Sequence, residues 1–116
     1  MRVAPSTTTL AAAYVTGHTY LGIAASDPGT TPTPASEASG GSPAYSRVAV
    51  AGGWTPGSPG VQTAALTTLN LPAGTWAWML LFSSATGNNM WDNCTLTPTI
   101  LTADGPLIIT PTVTVV

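Results

Sequence analysis

Few side chains in this sequence are equipped for chemistry, and where they stand limits the reactions open to them. His18 is the single histidine and Cys94 the single cysteine. A serine, threonine or cysteine nucleophile needs a base beside it, and His18 opens an apolar run with no nucleophile motif nearby. One cysteine cannot close an internal disulfide, and one cysteine with one histidine falls short of the clustered soft ligands that a zinc or copper site requires. Asn93-Cys94-Thr95 is formally a glycosylation sequon, but it has meaning only on a secretory route that nothing else in the chain suggests. The carboxylates are Asp27, Glu37, Asp92 and Asp104. A glycosidase would need two of them opposed and rigidly held; Asp27 and Glu37 share one stretch, but the prolines and glycines around them offer no fixed placement. Asp27 reads as a turn former and Glu37 as a loop anchor. Gly40-Gly41-Ser42 and Gly52-Gly53 lack the lysine and the following helix of a phosphate-binding loop. These residues predict no catalytic site, no metal and no cofactor, and an enzyme is not expected.

Binding chemistry is better supplied. Arg47 is one of only two basic residues, the other being Arg2, and lysine is absent. A cation so isolated, placed two positions after Tyr45 in a strand-like run, is expected to pair with a carboxylate, Glu37 being the first candidate. The four tryptophans divide by context. Trp76 and Trp78 lie in the most apolar segment and read as core. Trp54 and Trp91 stand in Gly-rich loops, where an aromatic ring serves an interface or stacks on a ligand. The candidate interface residues are therefore Glu37, Tyr45, Arg47, Trp54 and Trp91.

The elements that must position these residues are strands. Lysine is missing, Thr, Val, Ile and Trp are plentiful, and 12 glycines and 11 prolines punctuate the chain, which is an all-β composition. One helical turn is expected over 7–16, capped by Ser6 and ended by Gly17. A strand over 18–25 stops at the turn Asp27-Pro28-Gly29, and an irregular stretch over 26–44 follows; loops of that length act as interaction arms or carry function. Strands are expected over 45–50, over the threonine-rich 61–71, over 75–83 and over 94–101, with Met90 and Trp91 in the loop between the last two. Segment 75–83 places Trp76, Trp78, Leu80 and Phe82 on one face and Ala77, Met79 and Leu81 on the other, so it should be central. After the turn at Asp104-Gly105 the final strand alternates Ile109, Val113 and Val115 with Thr110, Thr112 and Thr114, and Pro111 marks a bulge or an edge. The expected fold is a single-domain all-β sandwich or barrel-like fold with long Gly/Pro/Thr-rich loops and a short N-terminal helix: an arm over 1–17 and a β-sandwich domain over 18–116.

Composition then narrows the partners. A specific nucleic-acid complex uses about 6–10 phosphate contacts from Lys and Arg, and this chain has two basic residues, so no nucleic acid is expected. No membrane is expected either: the longest apolar run, Trp76 to Phe82, is far short of the roughly 20 residues of a spanning helix. The N-terminal apolar run is interrupted by Pro5, Ser6 and threonines, unlike a signal peptide, so the chain reads as unexported. Charged residues are 5% of the chain against roughly 25% in ordinary domains. A surface of Thr, Ser, Gly, Pro and Asn resists self-association poorly, which predicts burial in a permanent assembly.

The order of segments adds a setting. Tyr20-Leu21-Gly22-Ile23, then Asp27-Pro28-Gly29-Thr30-Thr31, then Glu37 with Ser39-Gly40-Gly41-Ser42-Pro43-Ala44-Tyr45-Ser46-Arg47-Val48-Ala49-Val50, resembles a family of small virion proteins of tailed bacteriophages, especially those of actinobacteria, variously called tail-fibre-like, minor tail or head decoration proteins. The similarity continues through Leu71-Pro72-Ala73-Gly74 and Ser84-Ala85-Thr86-Gly87, and its most specific part is Gly-Gly-Ser-Pro-Ala-Tyr-x-Arg. Upstream the chain departs from the family, whose members carry a longer helical segment than Met1 to Gly17 provides. The resemblance implies a capsid decoration protein on the exterior of the head, assembled in the bacterial host cytoplasm. Its implied partners are the major capsid protein and copies of itself, a trimer suiting three-fold and quasi-three-fold sites, with the 26–44 loop and the N-terminal arm reaching across neighbours. The alternative it implies is a tail-tip or tail-fibre module that recognises a host-surface glycan through Trp54, Trp91 and Tyr45.

Overall fold

The computed structural model describes residues 12–17, 19–50, 53–57 and 60–114. His18, Arg2, the Gly52 loop position, Val115 and the first part of the expected helix lie outside them. Of that helix, residues 12–15 form a single turn, closed by Thr16, whose backbone N–H and hydroxyl both donate to the Ala12 carbonyl.

The protein is all-β. Its nine strands among the described residues are β1 (Tyr20–Ala24), β2 (Val48–Ala49), β3 (Thr55–Pro56), β4 (Val61–Thr63), β5 (Thr67–Leu71), β6 (Gly74–Phe82), β7 (Met90–Leu101), β8 (Gly105–Ile109) and β9 (Thr112–Thr114). All pairings are antiparallel, and the largest sheet has the order β2-β1-β6-β7. The apolar β6 sits inside this sheet between β1 and β7, as a strand with two apolar faces must. On one face, Leu21 and Ile23 of β1 and Leu81 of β6 meet Ala64, Leu69 and Leu71 from the other strands. On the other, Leu80 and Phe82 pack with Ala24 and Met90, with Trp78 and Tyr20 alongside.

The opposing layer is a long ribbon with a break in it. The threonine-rich 61–71 segment is not one strand but two, because its partner contains Pro111. Thr63 pairs with Thr112 and Thr67 with Ile109, so three residues on one side face two on the other. Proline has no N–H to continue a ladder; the Ala64 N–H instead donates to the Pro111 carbonyl at 3.0 Å, and the Pro111 ring is fully buried. Above the break β5 pairs with β8, and below it β4 pairs with β9 and with the short β3.

Two other expectations are corrected. Met90 and Trp91 belong to β7 rather than to a loop, since their backbones complete the ladder to Phe82 and Leu81 through an irregularity in register. The 45–50 strand shrinks to Val48–Ala49, because Tyr45 and Arg47 turn their side chains to Glu37 instead of pairing along the sheet.

Candidate functional site

The stretch from Ala25 to Arg47 lies back on its own sheet. Glu37 forms an isolated antiparallel bridge with Ala24, the Ala38 N–H donates to the Ile23 carbonyl at 2.9 Å, and the Ala25 N–H to the Ser36 carbonyl at 3.2 Å. Its outer end is tied to β7: the Met90 N–H donates to the Pro32 carbonyl at 3.0 Å, and the Asn93 amide Nδ2 donates to the Gly29 carbonyl at 3.0 Å. The expected free arm is therefore a packed flap, because its backbone groups find partners on β1 and β7 and Pro28 is fully buried.

Its buckle is the pair expected from the scarcity of charge. Arg47 Nε donates to Glu37 Oε2 at 2.9 Å and Nη2 to Oε1 at 3.0 Å, a two-point grip. Arg47 Nη1 donates to the Gly87 carbonyl at 2.9 Å, and the guanidinium lies 3.4 Å above the centre of the Phe82 ring. The Tyr45 hydroxyl donates to Glu37 Oε2 at 2.8 Å and accepts the Ile23 N–H at 3.3 Å. Burial first, then the hydrogen bond and charge of Glu37, push the Tyr45 phenol above its ordinary range. The cluster needs Gly22 beneath it: a Cβ there would lie 2.6 Å from the Tyr45 hydroxyl and 2.7 Å from Phe82. With 9% of the Arg47 side chain and 19% of the Glu37 side chain exposed, these groups face inward. They hold the flap rather than present a docking surface.

A second clasp fixes the other end. Asp104 Oδ2 accepts the Ser42 N–H and Oδ1 accepts the Ala73 N–H, both at 2.9 Å, joining the Gly-Gly-Ser-Pro turn to the turn before β6. Gly41 touches Pro72 there with φ of 94°, a conformation and a closeness that exclude side chains.

The tryptophans separate. Trp54 is half-buried and lines an apolar cavity of about 410 Å³ with Tyr14, Leu21, Met79 and Val113. Trp91 is 54% exposed and lines a different cleft, of about 470 Å³, with Trp78, Asp27, Asp92 and Asn93. Trp76 is core, its indole N–H donating to the Pro72 carbonyl at 3.1 Å, whereas Trp78, expected beside it in the core, is only half-buried and forms part of that cleft wall. Five candidates thus resolve into one inward cluster of Glu37, Tyr45 and Arg47, and two separate aromatic positions.

Residues that the sequence offered only as turn formers, or not at all, complete the second aromatic position. Asp27 Oδ1 accepts the Gly29 N–H at 2.9 Å, an Asx turn. Asp92 accepts hydrogen bonds from the Asn93 N–H and from the Tyr14 hydroxyl, and the Tyr14 ring packs at 57° to Trp91 with centroids 5.9 Å apart. Burial and then Asp92 raise the Tyr14 phenol; burial and then the Asp92 charge raise the Cys94 thiol, which keeps it protonated and a poor nucleophile at neutral pH. The local signal was the run Trp91-Asp92-Asn93, an aromatic followed by a carboxylate and an amide, which the loop assignment masked. Among the described residues no three His, Cys, Asp or Glu side chains gather as metal ligands, and no helix is long and apolar enough to cross a membrane. In comparisons with known proteins, no family model and no curated protein matches the chain.

Proposed function

We propose that the chain is a non-enzymatic structural protein of a tailed-bacteriophage virion, a decoration protein that binds the exterior of the head and clamps contacts between capsomers. The observation that carries this reading is an uncharged ribbon with bare apolar side chains. Strands β4, β5, β8 and β9 contain no charged residue, yet Ile108 is 58% exposed on β8, Leu66 is 66% exposed at the entry to β5 and Ile100 is 72% exposed on β7. Such a surface is made to be covered. The segment order shared with the virion family supplies the setting, with the major capsid protein and further copies of this chain, arranged as trimers, as the partners. A protein that binds only the assembled shell stabilises it by mass action, with a small contribution per copy multiplied over the lattice.

The packed flap changes how contact would be made. The 26–44 stretch is occupied by its own sheet, so the ribbon, rather than an arm, is the face offered to the shell. The test is copy number: quantitative mass spectrometry of purified virions should give this chain in a simple ratio to the major capsid protein, such as about one to one or one to three. A handful of copies per particle would overturn the head assignment and put the chain on the tail. The glycan alternative loses its original residue set, since Tyr45 is tied to Glu37 and Trp54 lines a separate cavity.

A further inference from the structure

We propose that the cleft between the flap and the start of β7 is a carbohydrate-binding site for neutral pyranose rings. The inference concerns a ligand site and holds whichever part of a particle carries the protein. Its walls are Asp27 and Thr30 from the flap, Trp78 from β6, and Met90, Trp91 and Asn93 from β7. A pyranose presents an apolar C–H face and a rim of hydroxyls, and a site for it needs an accessible aromatic plane with planar polar groups held at the edge.

Both parts are present. Trp91 is 54% exposed at the position where the β6–β7 register shifts between Leu81 and Phe82, an irregularity of the kind that re-aims a side chain out of the regular alternation. Tyr14 braces its ring from the side. Trp78 supplies a second aromatic surface in the same cleft. At the edge, Asp27 uses Oδ1 for its own turn and Asn93 uses Nδ2 for the Gly29 carbonyl. Among the described residues Asp27 Oδ2 and Asn93 Oδ1 keep their acceptor capacity for ligand hydroxyls.

The site is also preorganised. Hydrogen bonds from Met90 N–H to Pro32 and from Asn93 to Gly29 stitch the two walls together, so little ordering remains to be done on binding. Charge sets the selectivity. Asp27 and Asp92 both line the cleft, and no described cation does, so uronic and sialic acids are repelled while neutral and N-acetylated sugars are admitted.

The test uses the purified full-length chain on an array of immobilised oligosaccharides, neutral, N-acetylated and acidic, followed by tryptophan-fluorescence titration with each neutral oligosaccharide bound. Saturable binding to a neutral glycan is expected, weakened about tenfold or more by Trp91→Ala and by Asp27→Asn, and changed less than about twofold by Trp54→Ala in the separate cavity. Asparagine at 27 can still accept the turn hydrogen bond, so that variant keeps its fold, and Trp91→Phe serves if the alanine variant does not. Three results would each overturn the proposal: no neutral glycan bound up to about 10 mM, binding confined to acidic glycans, or binding that survives in both the Trp91 and Asp27 variants.

Discussion

Glu37 is the residue on which the flap turns. Both of its oxygens are engaged, by Arg47 and by Tyr45, and a guanidinium stacked on Phe82 cannot easily find another anion. Replacing Glu37 with Gln keeps the volume but leaves Arg47 mostly buried without its counter-charge, and unfolding in urea should show a loss of about 2–3 kcal/mol; a midpoint unchanged from the parent would contradict the role assigned to the pair. Tyr45 provides a pH signature. Its folded-state phenol is raised above the value near 10 of an unfolded tyrosine. Its contribution is therefore complete below about pH 10 and is lost as pH rises beyond it, since the unfolded chain releases the proton first. Stability measured from pH 8 to 11.5 should stay level and then fall, and Tyr45→Phe should flatten part of that fall, with Tyr14, raised in the same direction, accounting for the remainder.

Among the elements, the turns around β6 and the broken ribbon show where local reading succeeds and where it stops. The turn Leu71-Pro72-Ala73-Gly74 and the turn at Asp104-Gly105 were both legible from their residues. That Asp104 clasps Ser42 and Ala73 at once was not, because the three come together only when distant segments fold. Asp104→Ala removes two backbone partners and should cost about 1–3 kcal/mol. Hydrogen exchange should localise the effect, with faster exchange at Ser42 and Ala73 and little change at the amides of β1. The split of 61–71 into β4 and β5 was illegible for a related reason: nothing in that segment breaks a strand, and the break is imposed by Pro111 across the ribbon. Pro111 itself was read correctly as a disruption. Trp91 was misplaced because the glycine and asparagines before it look like a loop, and the β7 ladder extends back to Met90 regardless.

For the protein in its assembly, the argument rests on surface chemistry. If the uncharged ribbon is the contact face, Leu66→Lys combined with Ile108→Lys should abolish attachment to purified heads while leaving the urea midpoint within about 0.5 kcal/mol of the parent, since both side chains are already in water. A double variant that still attaches normally would exclude the ribbon as the contact face. The low charge that suggested a buried life also explains why so few ionic contacts shape the fold: Arg47 with Glu37, and the Asp104 carboxylate on two backbone amides.

Composition and turn chemistry were enough to determine an all-β chain, the central place of β6, and the partnership of Arg47 with Glu37. These follow from local geometry, from two apolar faces needing two covers, and from there being almost no other charge to choose. The fate of the 26–44 stretch, the half-exposure of Trp78 and the union of Asp27 with Trp91 and Asn93 came only from the folded structure. Each depends on which distant backbone groups satisfy one another, and a sequence lists donors and acceptors without saying which will meet.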